Sequence, residues 1–429
     1  MRVDITKKDI WINSYPIFLW LILEPIVGLV DSKIASLIGI NSLSAVGVGE
    51  TIYFVFVWIF IFLAYGTTPL VSAFKTKNQI NQLNFLIKFG RQISIFLGSI
   101  AFFVLYSTNS YFINIFRPTA VVGELSSSYL ILRCVGLPFY LINMHSTAVL
   151  RGLKLPKATF NSSLIVTFLN IILSYVFGIV FEFGVMGIGF ASSASFLVAS
   201  IYSTIILKKT QNNFTISSDI VEKQKIRLKF FSVGINILVR SLFLTLFMAF
   251  LRNKASLMSM EEIALQHVLL QLWSIGYIFA DSIAIASQTL VSEYISTDKS
   301  FSGSKLQKDL YKIIFFLSTS LFIFSFLTLE KLVSLVSSQS LNNLISFELI
   351  LLFSISLLVG SFAFLWDGVL LALDKSKEFS ILTIIASLTG FLVCTILLLK
   401  QNSLETLWIA LNVSLAIRTY LGYKYQKIS

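Results

Sequence analysis

Charged side chains are scarce in this chain. They make up 13% of its 429 residues, whereas apolar side chains make up 56% and phenylalanine alone occupies 40 positions. An ordinary soluble domain carries roughly 25% charged residues. The composition therefore excludes a water-soluble fold and predicts a chain that is embedded in lipid.

Proline and cysteine are also rare, with six and two residues. Few prolines indicate long helices rather than a turn-rich sheet, and no segment shows the alternation over about ten residues that is typical of a transmembrane barrel strand. Cys134 and Cys394 lie inside apolar runs without metal-ligand spacing, so neither a disulfide framework nor a zinc site is indicated. We therefore predict an all-α membrane protein.

Motifs of enzyme chemistry are missing from the sequence. It has no glycine-rich phosphate loop, no zinc-protease histidine pair and no GxSxG elbow. We therefore expect neither an enzyme nor a bound cofactor or metal. Without a domain for ATP chemistry, the energy for any transport has to come from an ion gradient.

Twelve apolar stretches are long enough to cross a hydrocarbon core, which takes roughly 20 residues each. They run over residues 12–38, 45–74, 85–106, 125–149, 158–181, 185–207, 230–251, 263–295, 311–329, 344–371, 379–399 and 404–421. Lysine and arginine concentrate in alternate connections, beginning with the N-terminal segment, and this bias predicts that both termini are cytoplasmic. We expect a multi-pass protein of the cell inner (plasma) membrane.

A faint internal repeat accompanies the even number of spans. Residues 35–38 resemble 255–258, and residues 70–72 resemble 290–292, at one common offset. A parallel repeat predicts two six-helix lobes related by a pseudo-twofold axis along the membrane normal, with the transport cavity between them. The predicted domains are an N-terminal lobe, a basic cytoplasmic linker and a C-terminal lobe, at residues 1–207, 208–229 and 230–429.

Six stretches, in chain order, resemble motifs of the MATE (multidrug and toxic compound extrusion) family, specifically of its DinF-like subgroup. They lie at residues 24–31, 45–71, 150–153, 184–189, 270–288 and 367–368. The resemblance implies a monomeric antiporter that is driven by a cation. It would export organic small molecules, cations among them, by alternating access.

The resemblance also implies a coupling site in the first lobe, with Asp31 as the acid of the first helix. Three polar residues accompany it: Asn170, Ser174 and Ser192. MATE proteins often carry an aspartate where this chain has Ser174, so one anion is missing. A sodium site needs several hard, negatively charged oxygen ligands, and a single buried carboxylate suits a proton better. We therefore expect proton coupling, while sodium stays open because Glu24 could supply the missing charge.

Glu24 and Asp31 both fall within the first span, where an ionised group usually faces a wet cavity or a partner. Their separation is about two helical turns, which places both carboxylates on one helix face. Two acids above one cavity suit reversible uptake of a proton or cation. Pro16, earlier in the span, lacks a backbone donor and permits a kink that protonation could bias.

Four further polar residues are candidates for the cavity or for the second lobe: Arg240, Gln266, His267 and Asp281. The Gln266–His267 order is the reverse of the pair found in the family. Asp281 is either a functional acid or the partner of Arg240. Arg133 is interpreted as part of an internal salt bridge and Asp367 as a helix-end residue, with their roles left open.

Two other functions stay open at this point. A lipid-linked oligosaccharide flippase of the same superfamily would have as many spans but a mainly cationic cavity. A membrane-embedded enzyme would need polar catalytic loops, and the outer loops here are short.

The net charge of +12 arises in the cytoplasmic loops. The expected partners are therefore an organic small molecule, a proton or sodium ion, and membrane lipid, with no nucleic acid.

Overall fold

The computed structural model describes residues 5–116, 118–210, 220–255, 258–297, 300–336, 343–399 and 402–427. Nearly all of these residues are helical, and none of them lies in a strand. The elements follow in the order α1 (Lys7–Ile38), α2 (Ile40–Ile59), α3 (Phe62–Tyr65), α4 (Thr67–Thr76), α5 (Ile80–Ile115), α6 (Ala120–Cys134), α7 (Leu137–Gly152), α8 (Pro156–Tyr175), a π-helical segment (Val176–Val180), α9 (Gly184–Thr210), α10 (Ile220–Ala255), α11 (Met260–Ile295), α12 (Lys305–Val336), α13 (Phe347–Ala372), α14 (Ser376–Leu398) and α15 (Leu404–Lys427).

Each of the twelve predicted spans coincides with one of these helices or with a short series of them. Within the described residues, nine helical stretches are long and apolar enough to cross a membrane, and the bent pair α6–α7 makes a tenth. The helices α1 and α15 cover the first and the last predicted span. The prediction of an all-α membrane protein is confirmed.

The fourth predicted span bends by 46° between α6 and α7. Pro138 lies in the first turn of α7, where it has no backbone N–H with which to continue the hydrogen bonding of α6. Gly98 of α5 makes room for the bend, because a Cβ at this position would lie 2.5 Å from Cα of Pro138. The bend ends α6 directly after Arg133 and Cys134.

The chain packs into two compact units. The first unit is Leu19–Gly234, and the second unit combines Met1–Phe18 with Ile235–Ser429. This division differs from the predicted lobes at the N-terminus, because Ile5 and Ile10 pack into an apolar core of the second unit. Part of the predicted linker lies outside the described residues, and the predicted lobe boundaries stay a prediction.

Two glycines allow α6 to pack closely between α2 and α9 in the first unit. A Cβ at Gly49 of α2 would overlap the ring of Tyr129 on α6. A Cβ at Gly189 of α9 would lie 2.6 Å from the carbonyl oxygen of the same tyrosine. Tyr129 precedes Arg133 by about one helical turn. These close contacts therefore determine where Arg133 enters the unit.

We expect Gly49→Ala to separate α6 from α2 and to destabilise the first unit by about 1–3 kcal/mol, the usual cost of overpacking a core. Gly47→Ala on the same helix is the matched control, because nothing lies within 4 Å of the Cβ that it adds. Thermal unfolding of both variants in detergent measures the difference. Equal unfolding temperatures would show that the contact with Tyr129 does not limit the packing.

Candidate functional site

Asp31 lies on α1 inside the first unit, and its side chain is fully buried. Its Oδ1 accepts a hydrogen bond of 2.8 Å from Oγ of Ser174, near the end of α8. The π-helical segment begins two residues after this serine, and such segments are frequent at functional sites. Ser174 brings no negative charge to the site, but it donates a hydrogen bond that favours the ionised form of Asp31.

Arg133 on α6 joins Asp31 to a second acid. Its NH1 atom lies 3.8 Å from Oδ2 of Asp31 and 3.1 Å from Oε1 of Glu50 on α2. The same atom contacts the hydroxyl group of Tyr129, and the guanidinium carbon lies 4.7 Å from the ring centre of Tyr53. One buried cation is thus held between two carboxylates and an aromatic wall.

Asn170 on α8 and Ser192 on α9 complete this group, which we call the Asp31 cluster: Asp31, Glu50, Arg133, Asn170, Ser174 and Ser192. Nδ2 of Asn170 donates to Oγ of Ser192 at 3.0 Å, and NH1 of Arg133 lies 3.5 Å from the same oxygen. The four residues that the sequence analysis assigned to the first-lobe site are therefore brought together. Their role in coupling stays a prediction.

Three buried oxygen atoms of the Asp31 cluster accept no hydrogen bond in the described part of the chain, although the two carboxylate oxygens among them are ion-paired with Arg133. They are Oδ2 of Asp31, Oε1 of Glu50 and Oδ1 of Asn170. Buried acceptors are nearly always satisfied in folded proteins. Two carboxylates that share one guanidinium keep free lone pairs, which have the chemistry to bind a proton or a small cation.

The remaining first-span candidates add little to this geometry. Glu24 belongs to α1 by its backbone, but its side chain lies outside the described residues. Pro16 is buried within α1, and the helix is assigned without interruption through this position. The proposed roles of Glu24 as a second acid and of Pro16 as a kink stay predictions.

The second unit contains a different buried charge group, the Asp367 cluster of Arg240, Asp367 and Arg418. Asp367 on α13 accepts a hydrogen bond of 2.9 Å from NH2 of Arg240 on α10 and another from Arg418 on α15. All three residues are buried. Asp367 is therefore an ion-pair centre between three helices rather than a helix-end residue, and it carries two guanidinium groups.

The other second-lobe candidates lie on α11. Gln266 is buried, and its Oε1 accepts a hydrogen bond of 2.9 Å from Nε1 of Trp408, which places it in the apolar core rather than beside the Asp367 cluster. Asp281 is half-buried. The side chain of His267 lies outside the described residues.

Part of the first unit is similar to known proteins. Residues 16–176 match the MatE family model. This MatE region contains every member of the Asp31 cluster except Ser192. Over 176 residues, 41% of the chain, the sequence is 27% identical to the "Probable multidrug resistance protein NorM" of Haemophilus ducreyi. That match spans 38% of the relative, so the chain is aligned to less than half of the length of this curated protein.

Solved structures resemble the chain beyond the MatE region. A MATE protein in its straight conformation superimposes with a TM-score of 0.89 at 18% identity, over 98% of this chain and 95% of that chain. A MOP superfamily transporter from Pyrococcus furiosus, whose reverse polarity of binding pocket suggests a different function, gives 0.88 at 17% identity with the same coverage. The chain therefore has the fold of MATE transporters, and the predicted fold class of twelve helices in two lobes is confirmed.

The sequence did not lead us to assign two residues, Glu50 and Arg133, to the Asp31 cluster. Glu50 is an acid inside the second predicted span, and the rule that marks intramembrane charges as functional applies to it as well as to Asp31. Arg133 was expected in an internal salt bridge, but its partners were not identified. The sequence analysis counted Asp31 as the anion of the first-lobe residues and kept Glu24 open as a second, whereas the described structure adds the carboxylate of Glu50.

Proposed function

We propose that this chain is a MATE antiporter of the DinF-like subgroup that exports organic small molecules by alternating access and is driven by protons. The MatE match over residues 16–176 and the relative named for multidrug resistance support this assignment. The protein would work without enzymatic chemistry, as a monomer surrounded by lipid in the inner (plasma) membrane. Both termini would be cytoplasmic.

The observation that carries the proposal is the fully buried carboxylate of Asp31. An ionised carboxylate loses its hydration when it is buried, and protonation removes that penalty. A conformation that buries Asp31 is therefore favoured when the proton is bound, whereas a conformation that admits water favours its release. Because the same carboxylate binds the proton in one conformation and releases it in the other, proton binding would shift the equilibrium between the two conformations.

The choice between proton and sodium follows from the guanidinium of Arg133. Its NH1 atom is 3.8 Å from Oδ2 of Asp31 and 3.5 Å from Oγ of Ser192. A sodium ion would have to give up its water for oxygen ligands that already lie beside a fixed positive charge. A proton needs only one lone pair of the carboxylate. The cluster therefore favours proton coupling.

The flippase alternative expects a cavity dominated by cations. Four arginines are buried in the described residues. Three of them, Arg133, Arg240 and Arg418, each lie against a carboxylate of their own unit, and the fourth, Arg151, lies over the ring of Trp20. A guanidinium that is paired with a carboxylate has its donors and charge engaged within the protein. This pairing favours the exporter over the flippase.

The proposal is tested with purified protein in liposomes loaded with ethidium, a fluorescent organic cation. A pH gradient is imposed with sodium balanced, and a sodium gradient is imposed with pH balanced. We expect ethidium efflux to follow the pH gradient and to ignore sodium. Efflux that follows sodium and ignores pH would overturn proton coupling, and would direct attention to Glu24 as an additional ligand.

A further inference from the structure

The Asp31 cluster contains a second acid to which the proposed function gives no role, and this acid lies beside the guanidinium of Arg133. Glu50 on α2 and Arg133 on α6 form the closest ion pair of the cluster, with 3.1 Å between Oε1 and NH1. Arg133 is also within 3.8 Å of Asp31. A guanidinium stays charged under all conditions that a protein experiences, so its charge is a fixed part of the site.

We propose that Glu50 and Arg133 set the charge of the site, so that it binds one monovalent cation in each transport cycle. The two carboxylates and one guanidinium sum to a single negative charge. One proton at Asp31 brings the buried cluster to neutrality, which is the state that a low-dielectric environment favours. This inference rests on the proposed antiport and assigns to it a stoichiometry and two further residues.

The surroundings of the guanidinium keep this charge count intact. Within the described part of the chain, the other ionisable side chains that face Arg133 are Tyr53, Tyr129 and Cys134, and all three types are neutral near pH 7. The aromatic rings of Tyr53 and Tyr129 pack against the guanidinium of Arg133. The Arg133 side chain is thereby confined beside both acids, and among the side chains that the structure describes no further formal charge enters the count.

Without Glu50, the charges of Asp31 and Arg133 cancel, and a proton bound at Asp31 would leave the cluster positive. Proton binding would then be weaker by about tenfold or more, the size of effect that a neighbouring charge has on an acid. Without Arg133, two carboxylates remain and two protons are needed for neutrality. Removing both side chains restores the single negative charge.

The test compares Glu50→Gln, Arg133→Gln and the double variant in ethidium-loaded liposomes. We expect the Glu50→Gln variant to lose about tenfold in pH-driven efflux, and the double variant to recover most of it. One proton exchanged for one ethidium cation moves no net charge, so wild-type and double-variant efflux should ignore an imposed membrane potential. Exchange of two protons by the Arg133→Gln variant should respond to the potential.

The inference is overturned if the Glu50→Gln variant transports normally, or if the double variant is no better than that single variant. Arg133→Lys keeps the positive charge and serves as the second test if the Arg133→Gln variant does not fold. Efflux by the Arg133→Lys variant should ignore the membrane potential, and a response to the potential would contradict the charge count. Asp31→Asn separates the two proposals. If the Asp31→Asn variant transports normally, the proposed function fails. If the Asp31→Asn variant does not transport and the double variant is not rescued, only the role of Glu50 and Arg133 is removed.

Discussion

Asp367→Asn is expected to destabilise the second unit strongly. The carboxylate is bound by Arg240 and Arg418, and all three side chains are buried. Asparagine keeps the volume but leaves two buried guanidinium groups without a negative partner. Breaking a buried ion pair from one side costs about 3–5 kcal/mol, which corresponds to a fall of roughly 10 °C in the unfolding temperature of a unit of this size.

Thermal unfolding of detergent-purified protein measures this effect. Glu348→Gln is the matched control, because Glu348 is an exposed acid at the start of the same helix α13. Arg418→Gln should cost less than Asp367→Asn, because Asp367 keeps Arg240 as its partner. An Asp367→Asn variant as stable as the Glu348→Gln variant would mean that the two arginines find other partners and that the cluster does not hold the helices together.

Asp31→Asn is expected to abolish gradient-driven efflux while the protein still folds and inserts. Asparagine has nearly the same shape, its side-chain oxygen can still accept the hydrogen bond from Ser174, and Arg133 keeps Glu50 as its partner. The amide cannot take up or release a proton in the physiological range. The link between the proton gradient and the protein conformation is therefore lost.

Efflux of ethidium from liposomes under an imposed pH gradient measures this loss, with size-exclusion profiles and membrane levels reporting the fold. Glu182→Gln makes the same chemical change at an exposed acid of the first unit and should transport like the wild type. Wild-type efflux by the Asp31→Asn variant would remove Asp31 from the coupling mechanism. Loss of folded protein would assign it a structural role instead.

Hydropathy predicted most of the fold because the membrane restricts the alternatives. In a hydrocarbon environment every backbone polar group has to be paired within the protein, and long apolar stretches with few prolines satisfy this requirement as helices. The twelve predicted spans accordingly coincide with helices. The break between α6 and α7 was not predicted, because it results from the close fit of Pro138 against Gly98.

The first-lobe site was predictable in part. Asp31 was identified because burying an ionised acid in the membrane costs free energy. The resemblance of Asp31 to the family acid then assigned Asn170, Ser174 and Ser192 to the same site. Glu50 was open to the same argument and was missed. Its pairing with Arg133 could not be read from either position, because it depends on how closely α6 approaches α2.

The sequence by itself determined that this protein is a bundle of membrane-spanning helices with acids inside the bilayer, because both properties follow from composition and the cost of burying charge. Only the tertiary structure decided which charges neutralise one another. Gly49 and Gly189 allow α6 to lie close to α2 and α9, and this packing brings Arg133 between Glu50 and Asp31. Likewise Asp367 meets Arg240 and Arg418 only where three helices cross. Ion pairs act over a few ångströms, a distance fixed by helix packing and not by spacing along the chain.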